Sequence, residues 1–283
     1  MKPKIPFECN ESFLEDGITV FRELLRIDTT NPPGNEVVAA NRAVDWLGEC
    51  GVEAKTHDAA PTRRSVVACI GPDDENALIL SAHLDVVPAD PEHWEHPPFS
   101  AEIADDCIWG RGAIDMKHMA AYGITIVREL ARQKTPLKRG VKLVLVADEE
   151  AGCEMGSLHL ARHRPEWLKG SVAITEVGGF TLYVDGNRVY PVQVAEKGFV
   201  WLRLHIKGMP GHGSMPHKEG ALVKLAEIVD QIAEQPFPFR CTQPVQDFLE
   251  GVADVLPFPK GAIFKGIGKE WSSDFVLEKF IKE

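Results

Sequence analysis

The sequence lacks several features that would assign it to common classes of protein. None of its six cysteines forms a Cys-x-x-Cys pair, the spacing typical of zinc-binding and redox motifs. Its apolar runs are short, and even residues 141–147 fall far below the length that crosses a bilayer. We therefore expect reduced cysteines, no disulfide framework and no association with membranes.

Positive charge is also scarce. Lys and Arg total 31 against 42 Asp and Glu, which gives a formal net charge of -11. Nucleic acids and anionic membranes attract a basic face, so neither partner is expected. The first residues show no apolar signal region with a small-residue cleavage site, which predicts a cytoplasmic location. A serine hydrolase is excluded because the chain contains no Gly-x-Ser-x-Gly elbow.

What the sequence does contain is the alternation of helix and strand patterns typical of an α/β fold. Ser12 and Glu15 form a capping-box pattern ahead of a predicted helix. The alternation predicts a mostly parallel sheet with helices on both faces. The predicted helices are residues 12–26, 35–49, 116–132 and 156–163, the predicted strands are 65–70, 77–82, 141–147 and a buried 171–175, and a hairpin over 101–109 turns at Asp105-Asp106.

A second domain is predicted after Ala195, which divides the chain into residues 1–195 and 196–283. An alternating strand over residues 199–207 opens it, followed by a Gly/Pro/His turn. A helix from Glu219 to about Glu234 and a shorter one over 245–252 complete the pattern.

Acidic residues and one histidine occur directly after apolar strands or at a helix start. In an open α/β sheet ligands bind at the carboxyl ends of the strands, so residues far apart in sequence can converge there. The candidates are His83, Asp85, Asp115, Glu149, Glu150 and Glu176.

His83 and Asp85 are two residues apart in an extended segment, so their side chains point the same way and Asp85 can orient His83. Asp115 precedes a long helix and is either an N-cap or the bridging carboxylate that two closely spaced cations need. Asp148, Glu149 and Glu150 would repel one another at a buried strand end without cations. The chain must turn there, which directs one glutamate to metal and its neighbour to the attacking water; the alternative is a solvated acidic turn.

Glu176 alone is either a loop residue or a ligand. Together, His83, Asp115, Glu150 and Glu176 supply the mixed imidazole and carboxylate set expected for zinc or a similar metal.

Four motifs over residues 12 to about 234 resemble those of the M20 family of metallopeptidases and amidohydrolases. They are Ser81-Ala-His83-Leu-Asp85-Val-Val-Pro, Trp109-Gly-Arg-Gly-Ala-Ile-Asp115-Met-Lys, Asp148-Glu-Glu150-Ala-Gly and Gly211-His-Gly-Ser. The resemblance implies a three-layer α/β/α zinc-exopeptidase-like catalytic domain with a partial, ferredoxin-like α+β lid. It also implies hydrolysis of an amide C–N bond in an N-acyl amino acid or small peptide, with two Zn²⁺ ions, or Co²⁺ or Mn²⁺ in their place.

The resemblance further implies individual roles. His83 binds one metal with Glu176, Glu150 binds the other, and Asp115 bridges them. Glu149 is the general base, and Asp85 supports His83. His212 polarises the substrate carbonyl, often across the interface of a homodimer formed through the lid.

The sequence departs from the family pattern at its C-terminal end. The family returns to its catalytic domain after the lid and gains a last histidine ligand, whereas no histidine follows His217 here. For His118, His159 and His163 we expect surface or packing roles. The alternative function is therefore a truncated, inactive chain that binds or oligomerises.

Overall fold

The computed structural model describes residues 11–133, 136–176, 180–198, 200, 202–214, 220–235 and 240–267. The chain divides into two compact units, Met1–Glu176 and Val177–Glu283. This division precedes the predicted boundary near Ala195. The functional domains, residues 1–195 and 196–283, stay a prediction.

The first unit contains most of the regular structure. A capping box at Ser12 is not found, because the first helix already includes this residue. The helices are α1 (Glu11–Arg26), α2 (Glu36–Gly48), α3 (Lys117–Gln133) and α4 (Ser157–His163), and the strands are β1 (Ala54–Ala60), β2 (Arg63–Ile70), β3 (Leu78–His83), β4 (Glu102–Ala104), β5 (Cys107–Trp109), β6 (Val141–Val146) and β7 (Val172–Ile174). The predicted hairpin is confirmed as β4 and β5, and Asp105 and Asp106 at its turn have φ values of 51° and 57°.

The central sheet has five strands in the order β1-β2-β6-β3-β7. β3 pairs in parallel with both β6 and β7, whereas β1–β2 and β2–β6 are antiparallel. The expectation of a mostly parallel sheet is therefore wrong, and the sheet is mixed. The difference arises at β1, which was not predicted and which a two-residue turn joins to β2, a connection short enough only for antiparallel strands.

Helices cover both faces of this sheet, as the three-layer α/β/α class requires. Successive residues of a strand point to opposite faces. Leu143 and Leu145 of β6 pack in the core shared with α1, α2 and α3, while Val144 and Val146 pack with Leu160 of α4. This arrangement confirms the predicted fold class of the catalytic part.

The strand β7 differs from its prediction. Residues 171–175 were expected to form a buried strand, but Val172 and Ile174 are 50% and 46% exposed. Among the described residues, β7 pairs with β3 alone and lies at the edge of the sheet. The strand is therefore apolar in composition but exposed in the structure.

The described residues of the second unit form a hairpin and three helices. Its elements are β8 (Leu182–Val184), β9 (Asn187–Val189), α5 (Ala221–Glu234), α6 (Gln243–Val255) and α7 (Lys260–Ile267). The predicted helices over 219–234 and 245–252 correspond to α5 and α6, although Glu219 lies outside the described residues. The strand predicted over 199–207 is wrong where it can be checked, because Val200 and residues 202–207 form no strand. The ferredoxin-like lid stays a prediction.

Within the described part of the chain, no helix is both long enough and apolar enough to span a bilayer.

Candidate metal centre

Three parallel strands bring the candidate residues to one edge of the sheet. His83 is the last residue of β3, the Glu149-Glu150 turn follows β6, and Glu176 follows β7. Because β3 runs parallel to both neighbours, their carboxyl ends meet at this edge. Asp115 reaches the same place from the turn that precedes α3.

The carboxylates surround one ring nitrogen of His83. Its Nε2 lies 2.9 Å from Asp115 Oδ1, 3.6 Å from Glu176 Oε2 and 3.8 Å from Glu149 Oε2. The His83 side chain is 1% exposed, whereas those of Asp115 and Glu149 are 62% and 40% exposed. The cluster therefore has a buried imidazole at its base and carboxylates that solvent can reach.

Asp85 holds more of this cluster than its predicted role indicates. The Nδ1 of His83 lies 3.0 Å from the Asp85 main-chain oxygen and 3.4 Å from its Oδ1. The Asp85 carboxylate accepts hydrogen bonds of 3.0 Å from the backbone amides of both Glu149 and Glu150. One buried carboxylate thus fixes the orientation of His83 and the position of the acidic turn.

The acidic turn begins at a residue with left-handed backbone. Asp148 has a φ of 62°, which is uncommon outside glycine, so the chain turns here as the sequence predicts. Its carboxylate accepts hydrogen bonds from the Met155 amide at 2.8 Å, from Asn31 at 3.1 Å and from Arg63. These bonds stabilise the turn that carries Glu149 and Glu150.

Asn31 and Arg63 were missed at the level of sequence. Asn31 Nδ2 also donates to Asp85 Oδ2 at 2.7 Å, and Arg63 lies 3.1 Å from Glu36 Oε2. Both side chains are buried, so they link the two aspartates behind the cluster without contacting its centre. Neither residue belongs to a recognisable motif, and their partners are distant in sequence.

The turn before α3 explains two further residues of the Trp109 motif. A Cβ at Gly112, where φ is 84°, would lie 2.7 Å from Val86 Cγ1, so only glycine fits. Lys117 is fully buried and its Nζ donates to the carbonyls of Leu24 and Ile27 at 3.0 and 2.7 Å. Burial lowers the pKa of Lys117 to about 7. This lysine attaches the turn carrying Asp115 to the end of α1.

The charges of the cluster are unbalanced. Burial opposes protonation of His83, but hydrogen bonds to Asp115, Asp85 and Glu176 outweigh it and raise the pKa of His83 to about 12. Burial, together with the charge of Asp115, raises the pKa of Glu150 to about 7. Burial also raises the pKa of Glu149. The single imidazole therefore faces an excess of carboxylates, and a divalent cation would supply the positive charge that this excess requires.

The donor geometry fits such cations. Ligand atoms of His83, Glu149 and Glu176 lie within 4.8 Å of one another, as do those of His83, Asp115 and Glu150. Imidazole with carboxylate is a donor set that zinc accepts. The structure thus assembles every metal ligand predicted from the sequence, and it adds Glu149, the predicted base, to one of the two groups. The individual roles stay predictions.

The remaining histidines lie elsewhere. His212 belongs to the second unit, where its Nδ1 is 2.8 Å from Ser214 Oγ, and its catalytic role stays a prediction. His118 forms an edge contact with Tyr122, with ring centroids 5.7 Å apart. His159 and His163 gather with His57 and are absent from both acidic groups within the described residues.

Comparison with known proteins identifies the family. The sequence pattern of peptidase family M20/M25/M40 matches residues 79–262, which include every residue of the acidic cluster. The chain belongs to this family. As an M20 chain it is 31% identical over 220 residues to aminoacylase-1 of Sus scrofa, covering 76% of this chain and 53% of the relative. It is also 31% identical over 219 residues to the N-fatty-acyl-amino acid synthase/hydrolase PM20D1 of Xenopus tropicalis, covering 74% and 42%.

Solved structures of the family are similar over part of this M20 chain. The M20 family metallo-carboxypeptidase Sso-CP2 from Sulfolobus solfataricus has a TM-score of 0.49 at 25% identity, covering 57% of this chain and 37% of that one. Human carnosine dipeptidase 1 has a TM-score of 0.49 at 21% identity, covering 58% and 39%. The chain spans about half the length of the aminoacylases it matches.

Proposed function

We propose that this M20 chain carries the metal-binding part of a hydrolase that cleaves the amide C–N bond of an N-acyl amino acid or small peptide. The observation that supports this most is the convergence of Asp115, Glu149 and Glu176 on His83 Nε2 within 2.9 to 3.8 Å. The aminoacylases and peptidases among its relatives indicate the substrate class.

In this proposal His83 and Glu176 hold one cation, Glu150 holds a second, and Asp115 bridges them. Zn²⁺ fits this donor set, and Co²⁺ or Mn²⁺ could take its place. When bound, such cations polarise the amide carbonyl and lower the pKa of water. The turn bonded to Asp85 supports this division of roles, since it fixes Glu149 and Glu150 by their backbone amides.

Glu149 is the proposed general base. It accepts a proton from the attacking water, whose oxygen forms a new bond to the carbonyl carbon. Glu149 then delivers that proton to the leaving nitrogen as the C–N bond breaks, so the products are a carboxylic acid and an amine, which become a carboxylate and an ammonium ion after transfer of the acid's proton. Burial raises the pKa of Glu149, and a base with a raised pKa binds the proton more readily at neutral pH.

His212 is the proposed donor to the oxyanion that develops on the substrate carbonyl. In the same proposal, the second unit provides the surface of a homodimer. Light scattering of the purified chain tests the dimer, and kinetic comparison of His212→Ala with the parent tests the histidine. A monomer would rule out the proposed homodimer, and unchanged kinetics in His212→Ala would rule out the proposed role of His212.

Glu149→Gln tests the proposed base. It keeps the shape and the hydrogen-bonded turn but removes the proton acceptor, so kcat should fall by about 10²- to 10⁴-fold while metal content is retained. The matched control is Glu154→Gln, an exposed carboxylate of the same loop that pairs with Arg162 at 2.7 Å. Turnover is measured on N-acetyl amino acids and dipeptides, and metal by mass spectrometry.

The same measurements separate the two candidate functions. Near two equivalents of zinc or cobalt bound at the acidic cluster, together with turnover, support the hydrolase. One equivalent or none at this cluster, without turnover, supports an inactive chain that binds or oligomerises. Full turnover in Glu149→Gln would remove Glu149 from the role of base.

A further inference from the structure

Three histidines form a second cluster on the first unit. His57 lies on β1, and His159 and His163 lie on α4. Positions four residues apart share one face of a helix, so the two α4 side chains both face His57. The cluster shares no residue with the acidic centre around His83.

Their ring nitrogens are placed as ligands of one ion would be. His57 Nε2 lies 3.1 Å from His159 Nδ1, and one nitrogen from each of the three rings lies within 4.8 Å of the others. Two nitrogens bound tetrahedrally to zinc are separated by about 3.3 Å, given zinc–nitrogen distances of about 2.0–2.1 Å. The first pair therefore needs almost no movement to share a cation, and His163 needs a small one.

Two of the three histidines, His57 and His159, favour the neutral form, which binds metal. His163 Nδ1 lies 2.8 Å from the His159 carbonyl oxygen, which can only accept, so this nitrogen carries a proton and Nε2 is the nitrogen that can coordinate. Burial, the nearby histidines and the positive charges of Arg164 and Arg162 lower the pKa values of His57 and His159. Neutral imidazoles at pH 7 are the form that coordinates.

The surroundings indicate which cations would bind. Two carboxylates in this region are already paired, Asp58 with Arg64 at 2.6 Å and Glu154 with Arg162 at 2.7 Å. Arg164 lies over the Trp167 ring beside His57. Three imidazoles without a carboxylate suit Zn²⁺, Ni²⁺ or Cu²⁺ and not Mg²⁺, Ca²⁺ or Mn²⁺, which prefer oxygen.

We propose that His57, His159 and His163 form a metal site for a divalent cation that prefers imidazole, separate from the acidic centre. The bound ion would connect β1 at the sheet edge to α4. That helix begins directly after the loop that carries Glu149 and Glu150, and its Leu160 is fully buried. Binding should therefore stabilise α4 against local opening.

Zinc stoichiometry tests the proposal. Metal-free protein is dialysed against buffered Zn²⁺ and its bound zinc measured by mass spectrometry. The parent should bind one equivalent more than His159→Ala or His163→Ala. His93→Ala, which removes a histidine that is 82% exposed and outside both clusters, should bind as much as the parent. Equal stoichiometry in parent, His159→Ala and His163→Ala would overturn the proposal.

A second set of variants separates this site from the proposed function. His83→Ala removes the acidic centre's imidazole, yet it should keep the additional equivalent that His159→Ala loses. Hydrogen exchange of α4 amides gives an independent measurement, since Zn²⁺ should slow it in the parent and in His83→Ala but not in His163→Ala. Zinc-independent exchange of α4 in the parent would contradict the proposed connection.

Discussion

The two compact units of the chain differ in what they bury. In the first, α1, α2 and α3 pack with the central sheet around a continuous apolar core. In the second, no side chain of α5 is buried, and the buried apolar side chains of its described residues are Val252 and Ala253 of α6. The buried polar and charged side chains that the structure describes, such as Asp85 and Asp148, all belong to the first unit.

This difference has a consequence for function. A dry core lets buried hydrogen bonds hold their geometry, because no water competes for the donors. The acidic cluster lies at the edge of such a core and is supported from behind by it. We therefore expect substitutions of buried residues in the first unit to have large effects and substitutions in the second unit to have small ones.

Arg63→Met should have the largest effect on stability. Arg63 is 4% exposed and pairs with Glu36 and Asp148, so its removal leaves two buried carboxylates without a cation. Breaking a buried pair in this way costs about 3–5 kcal/mol. Hydrogen exchange of the β6 amides measures the loss of stability. Without Arg63, the turn at Asp148 that carries Glu149 and Glu150 should also shift and bind zinc more weakly.

The control for Arg63→Met is Arg162→Met, which removes an arginine whose side chain is 59% exposed. Exchange in β6 should stay at the parental rate in this variant. If Arg63→Met left exchange equally unchanged, the buried network would not be a source of stability, and the contrast between the units would rest on apolar packing alone.

Leu145→Ala tests that apolar packing. Leu145 is fully buried in the middle of the sheet, and truncation of a buried leucine costs about 2–5 kcal/mol. Chemical unfolding, monitored through hydrogen exchange of the β6 amides, gives the change in the free energy of unfolding. Leu14→Ala on α1, 55% exposed, is the matched control within the same unit. If Leu145→Ala lost no more stability than Leu14→Ala, the centre of the sheet would tolerate a cavity.

Val252→Ala asks whether the second unit has a small core of its own. Val252 is 7% exposed on α6, which packs against α7. Loss of two buried methyl groups should cost about 1.5 kcal/mol, at about 0.8 kcal/mol for each. Faster exchange should be confined to α6 and α7. Val245→Ala, at a more exposed position of the same helix, should change exchange less, and equal effects would mean that α6 has no buried face.

Some of this architecture follows from the sequence because it depends on local periodicity. The predicted helix over 12–26 matches α1 to within one residue at each end, and the turn at Asp105-Asp106 is where the pattern places it. Helical repeats and turn residues act over a few positions, so neighbouring sequence carries the information.

Other features depend on partners that are distant in sequence. The strand β7 has the composition of a buried strand, yet burial requires an element that covers it, which composition does not report. In the site, motif residues such as His83 and Asp115 were predicted, whereas Arg63 was not. Its partner Asp148 is far along the chain, and a single arginine after a turn is ordinarily a surface residue.

Leu222→Ala should have the smallest effect on stability. Leu222 is 79% exposed on α5, and alanine is at least as good a helix former, so stability should change by no more than about 0.5 kcal/mol. However, Val229 and Ile232 of the same helix are also exposed, at 53% and 54%. If the proposed homodimer covers this face, Leu222→Ala should weaken dimerisation in sedimentation experiments at several concentrations while exchange within the monomer stays unchanged. A large loss of monomer stability would instead mean that α5 is covered within the chain, and the contrast between the units would fail.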